Sequence, residues 1–300
     1  MKLALGPVLY YWTRDALLDF YADIAESTVD IVYLGETVCS RRHQLRLQDW
    51  LDVAARLAAA GKQVILSTQV LIESESDLKN LRAIVDNDYF MVEANDMGAV
   101  HLLAGKIPFV GGPHLNIYNS HSLRFLAALG AVRWVVTPEM SAEMLVPIQK
   151  ERPPDVETEA LVYGRLPLAF SARCFTARAY NLPKDDCRFR CLDYPDGLAL
   201  RTREDEPFLV LNGIQTQSAR IYNLIGELAA LRNMGLDVLR ISPQIEHTME
   251  IIGLFRDCLD QACSVHSALQ TMNKFAPDGI CDGYWQGCAG LEQSVTAIKP

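Results

Sequence analysis

The most restrictive feature of this sequence is a regular alternation of short β-branched runs with longer helix-patterned stretches. Strand candidates fall at residues 3–11, 30–34, 63–67, 90–93, 108–111, 133–137, 156–163 and 237–241. Between them, residues 50–60 place Trp50, Leu51, Ala54, Leu57 and Ala58 on one stripe before Gly61, the pattern of an amphipathic helix and its stop. Residues 121–129 read as a helix that begins after Ser120 and ends at Gly130. Residues 218–234 read as another, with Ile221, Leu224, Ile225, Leu228 and Leu231 on one face and Gly235 closing it. Such alternation implies a parallel sheet covered by helices. Eight strand candidates in about 240 residues suit a closed barrel better than an open sheet, and no GxGxxG follows the first strand. The expectation is an α/β fold: a (β/α)8 TIM-barrel-like single domain over residues 1–300. One stretch, residues 166–203, breaks the rhythm with Pro167, Pro183, Pro195 and Gly197, and reads as a long irregular loop of functional character.

A chain with 50% hydrophobic residues and 300 positions buries enough surface to fold without a metal or disulfide. A bound metal would therefore serve function rather than folding. The net charge of −9, from 28 basic against 37 acidic residues, disfavours general nucleic-acid binding. No apolar run approaches the roughly 18 residues that span a bilayer. The opening residues carry Pro7 and Tyr10-Tyr11-Trp12 and no small-residue cleavage site, so they read as a strand, not an export signal. The expected location is the reducing cytoplasm, where eight cysteines are poor candidates for structural disulfides and thiolate ligation comes first.

Cys174, Cys187 and Cys191 lie together in the irregular stretch, with twelve residues between the first two and three between the last two. The short spacing lets the sulfurs of Cys187 and Cys191 approach one ion or cluster. Cys39, five residues beyond the second strand candidate, is the natural fourth ligand, because loops that follow barrel strands gather on one face. Arg41, Arg42, Arg173, Arg178, Lys184, Arg188 and Arg190 crowd the same segments and would offset the negative charge of four thiolates. Spacing alone leaves an iron–sulfur cluster, a zinc ion and metal-free loop cysteines all open.

Cys258 and Cys263 fall in an apparent helix, where small buried hydrophobes are the expected role. Cys281 and Cys288 have no His or Cys neighbours that would complete a second site. His114 and Asn116 follow the fifth strand candidate, so His114 is either a proton carrier or a hydrogen-bonded structural residue. Glu36 and Glu93 stand at comparable strand ends as site carboxylates or helix caps. Serine-hydrolase, zincin and P-loop sequences are absent.

The segments GPVLYYW, YLGETVCSRR, GRLPLAFSARCFTAR, PKDDC with a second Cys four residues on, LNGIQTQS and DVLRISPQ resemble the U32, or collagenase-like, peptidase family from end to end. The arrangement of Cys39 plus three later cysteines resembles that of a ubiquinone-related branch of the family. The resemblance implies a 4Fe–4S cluster held by Cys39, Cys174, Cys187 and Cys191. It also implies a heterodimer with a UbiU-like protein, and hydroxylation, without dioxygen, of the aromatic ring of a polyprenylated quinone precursor. Cys258, Cys263 and Cys288 fall outside that pattern. A polyprenyl substrate is too apolar to diffuse in water, and with no membrane segment or basic amphipathic helix a lipid-carrier partner is expected. Two other functions compete. One is a peptidase, as the family label suggests, although no nucleophile–base set is recognisable. The other is a non-catalytic module in which a metal only orders residues 166–203. Catalytic residues are not identifiable from sequence.

Overall fold

The computed structural model describes residues 1–293, so residues 294–300 of the expected domain lie outside the described residues. Its strands are β1 (Lys2–Leu5), β2 (Ile31–Leu34), β3 (Gln63–Ser67), β4 (Met91–Ala94), β5 (Phe109–Gly111), β6 (Ala131–Val135), β7 (Glu157–Phe170), β8 (Leu198–Arg201), β9 (Pro207–Asn212), β10 (Gln215–Asn223), β11 (Val238–Ile241) and β12 (Ile280–Cys281). Strands β1 to β7 pair in parallel and in sequence order, and β11 pairs in parallel with both β1 and β7. That double pairing closes an eight-stranded parallel barrel with helices outside, the expected TIM-barrel-like α/β fold.

All eight expected strands line this barrel. The first is shorter than its sequence run: the Gly6 amide still donates to the Ile241 carbonyl at 2.8 Å, and Pro7, with no N–H, ends the ladder. Alternation along each strand divides the core. Ile31 and Tyr33 join Ala4, Ile65, Val110, Val135 and Val238 in a cluster inside the barrel, while Val32 and Leu34 pack outward against helices. The helices start on side-chain caps, for example Thr13, Ser74, Asp96, Asn119 and Ser141, each accepting a backbone N–H of the first turn.

The lumen also holds charge. Glu159 accepts from Tyr33 Oη at 2.5 Å and from Arg240 Nε at 2.6 Å. Arg240 also pairs with Glu93 at 2.8 Å, and Ser67 Oγ donates to Glu93 at 2.7 Å. Buried charges persist only when paired in this way. Glu93, expected as a site carboxylate or a cap, is thus an interior partner of Arg240.

Two expectations are corrected. Residues 218–234 do not form one helix. Residues up to Asn223 belong to β10, which pairs with β7, β9 and β12, and the helix covers only Leu228–Asn233. Pairing partners on both edges override the helical stripe, as tertiary context does for β-branched and aromatic residues. Residues 166–203 are also more ordered than expected. They contain the end of β7, a short helix at Phe175–Ala179, two 3-10 turns and β8. β7 runs on past the barrel rim to Phe170 and turns into an antiparallel partner of β10, so β10, β9 and β8 extend the sheet beyond the barrel.

Candidate functional site

Barrel strands run in one direction, so the loops after β2, β4, β5, β7 and β11 collect at one face, where barrel enzymes carry their chemistry. Cys39 lies in the loop after β2 and Cys174 in the segment after β7. The structure brings them into one small cluster with Val38, Ile214 and Phe170. Glu36 shapes the first loop by accepting the Val38 and Cys39 amides at 3.0 and 3.1 Å. Its role is therefore to hold the Cys39 turn. Cys174 caps the Phe175–Ala179 helix, its sulfur accepting the Ala177 amide at 3.4 Å.

Arg42 is the centre of this arrangement. It is 4% exposed, donates to the Leu9 carbonyl and to Asn212 Oδ1 at 2.7 Å each, and lies 3.6 Å from Glu36. Its charge also acts on the neighbouring Cys191 and Cys39. Cys174 in turn acts electrostatically on both Cys39 and Cys191. Cys187 is buried one turn before Cys191, and its carbonyl accepts the Arg190 amide at 3.2 Å. Arg41 ties the two loops together by donating to the Asp185 carbonyl at 2.7 Å.

Burial pushes the Cys39 thiol up to about 11, against the opposing pull of Arg42. Burial likewise raises Cys191, again opposed by Arg42. Thiols held up in this way stay protonated at neutral pH unless a cation binds beside them, so ligation here would release their protons. Among the described residues no group of three His, Cys, Asp or Glu side chains is placed to hold a metal ion, so a cluster at these cysteines would need their loops to draw the sulfurs together. The crowd of basic residues is less available than its sequence suggests. Lys184 pairs with Glu73, Arg188 with Asp186 at 3.8 Å, and Arg190 with Asp193 at 2.9 Å. Of that set, Arg42 is the residue seen to engage the cysteines.

The sequence reading missed the β9–β10 hairpin. Its two-residue turn, Gly213-Ile214, has Gly213 at φ +65°, and its backbone cradles the segment bearing Cys174. The Gly213 carbonyl accepts the Phe175 amide at 2.9 Å, and the Gly213 amide donates to Thr176 Oγ1 at 2.9 Å. A Cβ at Gly213 would come within 3.0 Å of Arg42 Nη2. The Asn-Gly pair flanked by apolar residues was the available signal.

Two cavities border the loop that carries Cys39, one through Thr37 and the other through Glu36, Ser40 and Arg42. One, of about 50 Å³, sits in the barrel mouth among Thr37, Asn95, His114, Arg165 and Arg240. Buried Thr37 Oγ1 and Asn95 Oδ1 have no hydrogen-bond partner there. His114 packs edge-on to Phe170 with ring centres 4.9 Å apart, and burial lowers its imidazole to about 4, keeping it neutral. The other cavity, of about 450 Å³, opens beside Arg42 between the loops after β2 and β3, with Leu45, Leu47, Trp50, Ile72 and Ile84 among its walls. Among the described residues no helix is long and apolar enough to cross a membrane.

The chain is similar to curated hydroxylation proteins. It is 24% identical over 203 residues to tRNA hydroxylation protein P1 of Bacillus subtilis (strain 168), covering 60% of this chain and 46% of that one. It is 27% identical over 226 residues to tRNA hydroxylation protein P of Helicobacter pylori (strain J99 / ATCC 700824), covering 67% of this chain and 51% of that one. This chain thus spans about half the length of those relatives. Among solved structures, it is similar to the U32 peptidase Mk0906, at 14% identity and a TM-score of 0.47 over 81% of this chain and 93% of that one. Dihydrodipicolinate synthase from Aquifex aeolicus aligns at 10% identity and a TM-score of 0.48, over 91% of this chain and 81% of that one. The model of Peptidase family U32 matches residues 18–293, nearly the whole chain, and the chain belongs to that family.

Proposed function

We propose that this chain is the iron–sulfur subunit of an oxygen-independent hydroxylase complex in ubiquinone biosynthesis. In this reading Cys39, Cys174, Cys187 and Cys191 hold a 4Fe–4S cluster, and the chain works with a UbiU-like protein on a polyprenylated aromatic ring. The observation that carries it is buried Arg42 lying beside both Cys39 and Cys191, with Cys174 packed in one cluster with Cys39, in loops at the barrel face where such folds do their chemistry. The names of the hydroxylation relatives support the reaction class.

Bound there, a cluster supplies an electron route for a hydroxylation that does not draw on dioxygen. The chain's own residues supply the rest. Glu36 fixes the Cys39 turn, and Arg42 contributes a positive charge beside the thiolates. Asn212 and the Leu9 carbonyl fix the direction of the Arg42 guanidinium. The cavity of about 450 Å³ shares Arg42 as a wall and is roomy enough for an aromatic ring against Trp50. Neutral His114 lines the barrel mouth, where an uncharged imidazole can offer a hydrogen bond without carrying a positive charge. A polyprenyl tail exceeds what these cavities enclose, which favours delivery by a lipid-carrier partner.

The test is genetic and chemical. Deleting the gene should abolish ubiquinone only in cells grown without air, with an unhydroxylated precursor accumulating under a labelled ring precursor. Normal ubiquinone in the anaerobic deletion strain rejects the function. A change confined to tRNA modification would transfer the activity to the substrate in the relatives' names.

A further inference from the structure

A second pair of thiols lies on the opposite side of the barrel. Cys258 is in the last turn of the Thr248–Leu259 helix, and Cys263 follows that helix rather than belonging to it. This helix returns from the C-terminal end of β11 to the other barrel face. There Arg256 donates to Asp30 Oδ2 and to the Thr28 carbonyl, both at 2.8 Å, just before β2 begins. The pair is thus remote from Cys39 and independent of the reading proposed above.

The chain folds back sharply after the helix. Gln261 takes a left-handed φ of +60°, the Gln261 amide donates to the Cys258 carbonyl at 3.3 Å, and the Ala262 amide donates to the Asp257 carbonyl at 2.7 Å. The turn sets the two sulfurs 3.1 Å apart. That is closer than the optimum of about 3.5–4.0 Å for unbonded heavy atoms, and about 1 Å from a disulfide bond length. Both residues are only partly buried, so a tripeptide-sized oxidant can reach them.

We infer that Cys258 and Cys263 form a reversible intramolecular disulfide by exchange with small disulfides such as oxidised glutathione. The Cys263 thiolate attacks one sulfur of the oxidant, whose S–S bond breaks and releases one glutathione thiolate. Cys258 then attacks the Cys263 sulfur of the mixed disulfide and releases the second glutathione. Two protein thiols lose two electrons, one small disulfide gains them, and the two thiol protons end on the two glutathiones. Burial, followed by the hydrogen bond and charge of Cys263, pushes Cys258 up to about 12. Those contributions from Cys263 vanish once its sulfur is in the mixed disulfide, so the second attack becomes easier as the first is completed. The closed loop is short, which keeps its entropic contribution small and the bond within reach of cellular reductants.

The test uses the full chain, prepared anaerobically and fully reduced. It is equilibrated with a series of reduced and oxidised glutathione mixtures, alkylated, and mapped by peptide mass spectrometry. The expected result is the loss of two alkylated thiols, at Cys258 and Cys263, as one cross-linked peptide that dithiothreitol reverses. In Cys263→Ser the cross-link should disappear and Cys258 should not pair elsewhere. The inference is overturned if both thiols stay alkylated in the most oxidising mixture, or carry glutathione without a cross-link. The same two-thiol loss persisting in Cys263→Ser would overturn it equally.

Discussion

At the scale of single residues, Arg42 decides more than its place in a basic run suggests. Its guanidinium satisfies the Leu9 carbonyl and Asn212 while facing Glu36 and two cysteines. A lysine keeps the charge but cannot make that fork of contacts. Arg42→Lys should therefore cost about 2–3 kcal/mol of stability in denaturant melts, from lost charge-assisted hydrogen bonds. A change within a few tenths of a kcal/mol would contradict this role. His114 offers a pH test. Its folded value of about 4 lies below the ordinary 6.5, so between these the unfolded chain holds the extra proton. Its contribution is complete above the ordinary value and is lost as pH falls toward 4. His114→Phe should lose less stability than the parent between about pH 7 and about pH 4.5 in urea melts. Equal losses would mean that His114 is not held neutral by burial.

Among elements, β7 does two jobs. Its first half closes the barrel between β6 and β11, and its second half pairs with β10 and leads toward Cys174. Gly164 marks the change. It has φ +131°, pairs with Tyr222, and leaves room so small that a Cβ would meet Ser242 Cβ at 2.5 Å. Gly164→Ala should destabilise by about 2–4 kcal/mol through backbone strain and overpacking, and should loosen the segment that carries Cys174. Thermal melts and proteolysis after residue 170 would read both effects, and a fully stable variant would contradict the tight crossing. The barrel strands were legible because each is a short apolar run between turn signals, and residues such as Ile31 and Val32 are buried on both faces. The β9–β10 hairpin was not. The spacing of Ile221, Leu224, Ile225 and Leu228 mimics a helix and masked the Asn212-Gly213 turn signal, so the strand shows in its pairing with β7. Candidate positions Cys39, Cys174, Cys187 and Cys191 could be picked from spacing and barrel topology. Arg42 as a partner of Cys39 and Cys191 could not, because its role depends on Asn212 arriving from a hairpin 170 residues away.

For the whole molecule, the proposed function calls for a partner chain that shares the work of this acidic chain of net charge −9. Co-expression with a UbiU-like protein should give a single heterodimer peak in size-exclusion chromatography, and a stable, active isolated chain would contradict that partnership. The central claim concerns the four cysteines, and one measurement addresses it directly: iron and acid-labile sulfide per chain, with the visible spectrum, after anaerobic purification of the parent and of Cys39→Ala. The account predicts a brown parent with about four irons and about four sulfides, and a sharp loss of both in Cys39→Ala. A colourless parent containing zinc, or a Cys39→Ala chain that keeps a full and stable cluster, would contradict it.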